Sequence, residues 1–316
     1  MSAKIAQVLS RGFWRRLSLG LPTVLGMAPR GFFIPYRYHE GGQRARPAYA
    51  PVLGLLQQNE ERFVNLLSTI EDFADELLRI NGQPPAPRWT QDWFPRLDAA
   101  VAYALVRRTQ PARIVEVGAG HSTRFLARAV ADGELATSIT AIDPAPRARL
   151  DGLDVRLIKE TLERAGDGPF TDLTGGDILS IDSSHVLMPG TDVDVLLNRI
   201  LPNLPSGVLV HLHDIFLPDD YPEAWAWRGY NEQLAVAALL LGGEWQVLWS
   251  SRYASSRLSA AVSRTVIHRL PLSPGAFESS LWLEKRPSHR APDAVLRRSA
   301  PIHTDRRHPA DPRQES

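Results

Sequence analysis

The stretch Ile114-Val-Glu-Val-Gly-Ala-Gly-His-Ser-Thr-Arg-Phe125 contains, in order, an apolar run, a glycine turn and the start of a helix. Gly118 and Gly120 allow the backbone to turn tightly and to approach a ligand, because glycine has no side chain and adopts positive φ readily. Ser122 or Thr123 can cap the helix that follows. This order predicts the first strand–loop–helix unit of an α/β fold, with a binding site at the loop.

The sequence around this stretch alternates between short apolar runs and amphipathic segments. We predict strands at 113–117, 137–142, 155–159, 178–181, 208–212, 245–249 and 279–283. Helices are predicted at 96–108, 122–131, 193–201 and 230–241. Apolar strands that alternate with amphipathic helices are typical of a parallel sheet covered on both faces. Residues 96–285 are therefore predicted to form a three-layer α/β sandwich around a doubly wound, mostly parallel sheet.

The remaining sequence falls into three segments. Apolar residues recur at helical spacing over 52–80, which predicts one long amphipathic helix, and we assign residues 51–95 to an N-terminal helical cap. Residues 1–50 show no sustained period and are predicted to be an irregular basic segment. Residues 286–316 contain five prolines and only one short apolar run, so we predict a disordered basic tail.

Basic residues are concentrated at the two ends of the chain. The formal net charge is only +1, yet residues 1–50 contain eight lysines and arginines against Glu40 alone. Residues 285–316 contain eight basic and four acidic residues, so the middle of the chain is strongly acidic. Such an arm can contact an anionic partner, but solvated ends are the interpretation we favour. No aromatic–basic interleaving indicates a nucleic-acid groove, and contact of the N-terminus with a membrane surface stays open.

Composition excludes several classes of protein. The chain has 316 residues, of which 44% are hydrophobic and 22% charged, as in ordinary globular proteins and unlike collagen or coiled coils. No apolar stretch is long enough to span a bilayer. The absence of cysteine removes disulfides, zinc–thiolate sites and thiol nucleophiles, and it fits a cytoplasmic location. The sequence does not indicate an oligomeric state.

Two carboxylates accompany the glycine loop. Asp143 ends the second predicted strand, where a carboxylate can accept hydrogen bonds from both ribose hydroxyls of a nucleoside. Glu116 lies two residues before the first glycine, where it would repel phosphate but suit a cationic amine or a sulfonium. Thr123 occupies the position of the third glycine of a dinucleotide fingerprint, which disfavours a pyrophosphate ligand.

Acids and histidines also follow two other predicted strands. Asp182 and His185 come directly after the strand at 178–181, and His213 and Asp214 after the strand at 208–212. Because neighbouring parallel strands end at the same edge of a sheet, we expect these side chains within a few ångströms of one another. Carboxylates and an imidazole can hold Mg²⁺ or another divalent cation, and a histidine can accept a proton. The alternative is that the histidines are hydrogen-bonded interior residues.

From position 93 to 285 the sequence resembles the class I S-adenosylmethionine-dependent methyltransferases. The resemblance is carried by Glu-x-Gly-x-Gly at 116–120, by the acid that ends the second strand, and by Asp-x-x-x-x-Asp-x-x-His at 177–185. It implies a seven-stranded Rossmann-like sheet with an antiparallel last strand and S-adenosylmethionine at the strand ends. The cofactor residues that it implies are Glu116, Gly118, Gly120, Ser122, Thr123 and Asp143, although Ser122 stands where many members carry a third glycine.

The acids after strands four and five resemble those of the metal-dependent O-methyltransferases. This implies a metal site at Asp182, His213 and Asp214, with His213 at a position that is usually acidic, and a catalytic pair of His185 as general base with Asp182. The expected function is methylation of a hydroxyl on a small-molecule or sugar acceptor, with S-adenosylmethionine and a divalent cation such as Mg²⁺. The alternatives are a non-catalytic cofactor-binding or scaffold protein on the same fold, or a related non-methylating enzyme.

Overall fold

The computed structural model describes residues 11–28, 30–31, 37–38 and 47–287. The chain divides into two compact units: a sheet unit made of residues 48–219 and 231–316, and an N-terminal unit made of residues 1–47 and 220–230. The predicted disordered tail lies, from position 288 onward, outside the described residues. Among the described residues, no helix is both long and apolar enough to cross a membrane.

The sheet unit is built on seven strands, as the resemblance implies. They are β1 (Arg113–Val117), β2 (Ser138–Ile142), β3 (Arg156–Ile158), β4 (Ile178–Ile181), β5 (Leu209–Leu212), β6 (Trp245–Ser250) and β7 (Leu281–Lys285). Their order is β3-β2-β1-β4-β5-β7-β6, and only β7 runs antiparallel to its neighbours. All residues of β4 and β5 are buried, which shows that both faces of the sheet centre are covered. The predicted mostly parallel α/β fold is confirmed.

Helices flank the sheet. In chain order they are α1 (Arg11–Val24) in the N-terminal unit, then α2 (Ala50–Gln57), α3 (Glu60–Glu71), α4 (Ala74–Arg79), α5 (Arg96–Thr109), α6 (His121–Asp132), α7 (Leu162–Ala165), α8 (Asp192–Val195), α9 (Glu232–Leu241), α10 (Ser251–Arg257) and α11 (Ser259–Val262). Helix α5 packs against α3 and α6, and α9 packs against α2 and β6. The segment predicted as a helix at 193–201 continues from α8 as a π-helix and ends as a 3₁₀ turn.

The register of the strands places the ends of β1, β4 and β5 in one row. Val117 pairs with Ile181, and Ile181 pairs with Leu212, so the next residues of the three strands are neighbours. Backbone hydrogen bonds continue the row, because Asp182 N donates to Val117 O at 2.8 Å and His213 N donates to Ile181 O at 2.9 Å. The sheet therefore brings the glycine loop and both acid–histidine pairs to a single edge.

The prediction of one helix over 52–80 is wrong, because α2, α3 and α4 divide this segment. The breaks fall at Asn59 and Phe73, whose φ angles of −106° and −110° leave the helical range. Asn59 is held in place by tertiary contacts, since its side chain donates to Leu55 O at 2.9 Å and accepts from Gln246 on β6 at 2.8 Å. The apolar spacing persists across both breaks, so the pattern alone could not reveal them.

The prediction of an irregular segment over 1–50 is wrong for residues 11–24, which form α1. Pro22 lies in the last turn of the helix, where it has no N–H to donate to the carbonyl of Ser18, and the helix ends two residues later. Thr23 Oγ1 donates to Leu19 O at 2.6 Å and accepts from Arg30 N at 3.0 Å, which fixes the end of the helix. Much of the rest of this segment lies outside the described residues.

Strand β7 begins two residues later than predicted. The backbone N–H groups of Ser279 and Ser280, which would open the strand, both donate to the carboxylate of Asp98 at 2.9 to 3.1 Å. A buried acid on α5 thus takes the hydrogen bonds that the sheet would otherwise use. No local pattern indicates this contact, because the residues lie more than 180 positions apart.

Candidate active site and cofactor cavity

The glycine loop between β1 and α6 packs directly on the end of β4. Gly118 has a φ of +84°, and a Cβ placed there would lie 1.9 Å from the carbonyl oxygen of Asp182. Only glycine fits this position, since both the backbone conformation and the contact exclude a side chain. Gly120 N donates to Thr123 Oγ1 at 2.9 Å, and Thr123 Oγ1 donates to Glu116 Oε2. The loop is therefore held from below by the acid of β1.

A cavity of about 560 Å³ opens at this edge of the sheet. Its volume is in the range of sites for small molecules and cofactors. Its lining includes Gly118 and Ala119 of the glycine loop, Asp143 and Arg147 after β2, and Asp182 after β4. Further carboxylates, from Glu163 and Asp192, also line it, so the surroundings favour a cationic ligand.

The predicted cofactor residues occupy two layers. Gly118 and Asp143 line the cavity. The Asp143 carboxylate accepts from Ala119 N and Ala145 N, both at 2.7 Å, so it also fixes the glycine loop. Gly120, Glu116, Ser122 and Thr123 are not part of the lining, and the last three are almost fully buried beneath it.

Glu116 is the most strongly perturbed acid of the loop. Burial raises its pKa to about 7, and the negative charges of Asp182 and Asp143 also act to raise the pKa. Hydrogen bonds from the hydroxyls of Ser122 and Thr123 act in the opposite direction and lower it. Its Oε1 atom is buried without a hydrogen-bond partner in the described part of the chain. A carboxylate in this state gains stability when a cationic group comes near.

All four predicted catalytic and metal residues meet beside the cavity. His185 Nε2 lies 3.1 Å from Asp182 Oδ1 and 3.5 Å from Asp214 Oδ2. His213 Nδ1 lies 3.5 Å from Asp182 Oδ1 and 3.5 Å from Asp214 Oδ1. We call this group the acid–histidine cluster. Only Asp182, whose side chain is 32% exposed, also lines the cavity.

Two further carboxylates support the histidines from behind. His185 Nδ1 lies 2.9 Å from Glu232 Oε2, and His213 Nε2 lies 3.3 Å from Asp98 Oδ2. Both carboxylates are fully buried, at the starts of α9 and α5. Each is an acid in the first turn of a helix, where it also complements the helix dipole, so the sequence alone assigns neither to the site.

The positive histidines of the cluster partly offset the negative charge of the acids around them. Burial alone would lower the pKa of His185, but hydrogen bonds to Asp182 and Glu232 raise it well above its usual value. For His213 the charges of Asp214 and Asp182 likewise overcome burial and raise the pKa. Burial acts to raise the pKa of Asp182, and the charge of His213 reverses this and holds it well below its usual value. Two imidazolium ions therefore neutralise part of a group of four acids.

His211, two residues before His213, is a different case. Its ring is bonded to the hydroxyls of Ser180 and Ser280 at 3.0 and 2.8 Å. Burial lowers its pKa to about 3, helped by the charge of His213. This neutral histidine belongs to the interior of the sheet rather than to the cluster.

The backbone at the cluster is strained. His185 and Asp214 have φ angles of +59° and +56°, in the left-handed region that few non-glycine residues occupy. The His185 carbonyl is held there by Asn231 N at 3.0 Å and by Glu232 N at 3.3 Å. Strain of this kind is common at functional sites, where it fixes the direction of a side chain.

The donor atoms of the cluster fit a divalent metal ion. Ligand atoms of Asp182, His185 and Asp214 lie within 4.8 Å of one another. Two ligands at right angles around an ion with bonds of roughly 2.1 Å are separated by about 3 Å, close to the distances found here. His213 Nδ1 faces the same space and has no hydrogen-bond partner among the described residues. Ligating histidines usually donate their second N–H to a carboxylate, which Glu232 and Asp98 provide.

Comparison with known proteins finds a family match for part of the sheet unit. Residues 115–215, from β1 to the residue after Asp214, match a family model described as a methyltransferase domain. No curated protein matches the sequence.

Solved structures similar to this chain include three methyltransferases. One is the methyltransferase PaMTH1 of Podospora anserina with SAH, 16% identical, covering 81% of this chain and 100% of its own, with a TM-score of 0.39. The second is TomG, an O-methyltransferase of Streptomyces achromogenes with SAM, 14% identical over 70% of this chain and 90% of its own, with a TM-score of 0.39. The third is a putative O-methyltransferase of Klebsiella pneumoniae, 14% identical over the same shares, with a TM-score of 0.38.

The strand order, the single antiparallel strand and the glycine loop are those that the resemblance to class I methyltransferases implies. The sheet unit therefore has the Rossmann-like fold that this resemblance implies, and residues 115–215 match a family model described as a methyltransferase domain.

Proposed function

We propose that this protein transfers the methyl group of S-adenosylmethionine to a hydroxyl of a small-molecule or sugar acceptor. The observation that carries the proposal is the position of Asp182, which lines the cavity beside the glycine loop and also contacts both histidines of the acid–histidine cluster. A donor bound in the cavity would thus lie next to the groups that can activate an acceptor.

The cavity suits this cofactor at both ends. Asp143 can accept hydrogen bonds from the ribose hydroxyls, and Gly118 lets the ligand approach the backbone closely. Glu116, with its unpartnered oxygen, would stabilise the cationic part of the methionine group from below the loop. The acids around the cavity also favour the positively charged sulfonium over its neutral product.

The cluster would hold a divalent cation through Asp182, Asp214, His213 and His185. Two imidazoles suit Mn²⁺, Fe²⁺, Co²⁺ or Zn²⁺ better than Mg²⁺, which prefers oxygen ligands. When bound, such an ion lowers the pKa of a hydroxyl that it coordinates. Asp98 and Glu232 would orient the two rings, and the side chain of Asp182 would stay open to the acceptor.

A route without metal uses the same residues differently. His185, once neutral, would accept the proton of the acceptor hydroxyl through Nε2, while Glu232 stabilises the resulting imidazolium. Its high pKa in the free protein means that it must first lose a proton, so this route becomes faster as the pH rises. The two routes differ in one easily measured property, the response of turnover to a chelator.

Calorimetry and a turnover assay test the proposal. We expect the wild-type protein to bind S-adenosylmethionine and Asp143→Ala to bind at least about tenfold more weakly. Asp151→Ala is the matched control, because that carboxylate is 90% exposed and does not line the cavity. Unchanged affinity in Asp143→Ala would contradict the placement of the cofactor.

Turnover is measured with labelled cofactor and a panel of hydroxylated acceptors, with and without a chelator. Methyl transfer that stops with the chelator and returns with Mn²⁺ supports the metal route. Transfer that continues supports His185 as the base. Cofactor binding with no transfer to any acceptor would favour a cofactor-binding protein or a non-methylating enzyme.

A further inference from the structure

The N-terminal unit exposes most of the large apolar side chains of the described chain. Eight of the thirteen that are exposed belong to it, although it contains far fewer residues than the sheet unit. Six of the eight lie on α1 or in the turn that follows it. They are Trp14, Leu17, Leu21, Val24, Leu25 and Met27, with exposures between 43% and 76%.

The exposed residues of α1 form one stripe. Trp14, Leu17, Leu21 and Val24 recur at steps of three and four, which places them within about 80° of the helix circumference. Away from the stripe the helix carries the exposed Arg15 and Arg16 and the half-buried Leu19. The apolar stripe of α1 is therefore exposed instead of being packed on its own unit, which is the reverse of an ordinary surface helix.

The polar side of the helix is positively charged. Arg15 and Arg16 are exposed outside the stripe, and Arg30 is exposed just beyond the end of the helix. Over residues 1–50 the sequence carries eight basic residues against a single acid. Tryptophan and leucine on one face of a helix, with arginines beside them, are typical of helices that lie in a membrane interface.

We propose that α1 binds the surface of an anionic lipid bilayer, with its axis in the plane of the membrane. The acyl layer would take up Trp14, Leu17 and Leu21, and the anionic headgroups would contact the arginines. Helical hydrogen bonds satisfy the backbone, as burial at an interface requires. A bilayer offers an apolar layer and negative charge together, and α1 presents the complement of both.

A second copy of the chain is a weaker match for the stripe. The exposed large apolar residues of the sheet unit are spread over four separate segments. These are Val64 on α3, Trp93, the pair Leu234 and Leu241 on α9, and Leu272. They would offer the negative charge of the acidic region but no apolar face of similar length. The α1 stripe of a second copy would offer such a face, but it would bring the exposed arginines of both copies together.

Co-flotation of the full chain with vesicles tests the proposal. We expect binding to vesicles of phosphatidylcholine mixed with phosphatidylglycerol, and much weaker binding to phosphatidylcholine alone. Leu17→Glu with Leu21→Glu should lower the partition coefficient at least about tenfold for each substitution, because each removes apolar burial and adds a repelled charge. Arg15→Gln should lower it about fivefold at low salt and less at high salt.

The matched control is Leu241→Glu with Leu272→Glu, which changes two similarly exposed leucines of the sheet unit. This variant should bind the mixed vesicles like the wild type. The proposal is overturned if the wild type does not float with the mixed vesicles, or if the Leu17 and Leu21 variant floats equally well. It is also overturned if light scattering shows that the wild type is a dimer and that the Leu17 and Leu21 variant is a monomer, and if the wild type does not bind vesicles.

Discussion

The carboxyl edge of the sheet buries charged groups, whereas helix α1 exposes apolar side chains, and each is the reverse of what is usual in a folded protein. At the sheet edge Asp98 and Glu232 are ionisable groups with almost no exposed surface, whereas on α1 Trp14 and Leu21 are more than half exposed. Burying charge and exposing apolar surface both cost free energy in the isolated chain. Both arrangements become favourable when a ligand binds. We infer that the ligands are a cation and a cofactor at the sheet edge, and a lipid surface at α1.

The largest effect that we expect is on methyl transfer. Asp182→Asn keeps the size of the side chain but removes the charge that links the cavity to the acid–histidine cluster. We expect turnover to fall roughly 10³-fold or more, as for the loss of a group that orients or activates the nucleophile. The rate is measured with labelled cofactor, and Asp151→Asn should keep wild-type turnover. A similar rate in Asp182→Asn and Asp151→Asn would show that the charge of Asp182 is not needed for catalysis.

The next effect is on stability. Asp98→Asn removes one of the three carboxylates around the buried imidazolium of His213 and places an N–H donor against the backbone N–H of Ser279. We expect the free energy of unfolding in urea to fall by about 3 kcal/mol. Asp219→Asn, which breaks a partly exposed pair with Arg257, should lower it by no more than about 1 kcal/mol. Equal losses would mean that burial does not distinguish the two acids.

A smaller effect concerns the pH dependence of stability. In the folded protein Glu116 keeps its proton up to a pKa of about 7, while the unfolded chain releases it near 4.5. The folded state therefore binds more protons between these values, and stability falls as the pH rises. The contribution of Glu116 should fall by about 2 kcal/mol between pH 5 and pH 7.

Glu116→Gln, which imitates the protonated acid, isolates this contribution. Unfolding midpoints of the wild type and the variant are compared across the same pH range. The difference between them should grow with pH in favour of the variant. If the two midpoints differ by the same amount at every pH, Glu116 is already ionised in the free protein.

The smallest effect tests the other side of the comparison. Leu17→Ala with Leu21→Ala removes apolar surface that the folded chain does not bury. We expect the free energy of unfolding to change by less than about 1 kcal/mol, because exposed positions contribute little to folding. A larger loss in urea unfolding would mean that the stripe packs within the protein rather than serving a surface.

Local patterns were sufficient to predict the sheet edge. Strand periodicity located β1, β4 and β5, and the rule that parallel strands end together predicted that Asp182, His185, His213 and Asp214 would meet. The tight turn after β1 indicated a role for Gly118 in the backbone, although its contact with Asp182 could not be predicted. These features depend on residues close in sequence or on the general geometry of parallel sheets, so they can be recognised without a structure.

The rest depends on contacts between distant residues. Asp98 reaches His213 across 115 positions, and Glu232 reaches His185 across 47, so no local pattern distinguishes them from ordinary helix-start acids. The break at Asn59 depends on a partner on β6 in the same way. Helix α1 was missed for a different reason, because Gly20 and Pro22 look like a turn although the helix continues through them.

The contact between Gly118 and the Asp182 carbonyl has a consequence for engineering this protein. A methyl group added at position 118 would displace the very residue that we place beside the acceptor. Donor affinity and chemical rate should then decline together in Gly118→Ala. Attempts to widen the pocket for synthetic donor analogues would do better at Arg147 or Glu163, which also line the cavity and are not part of the contact between the glycine loop and Asp182.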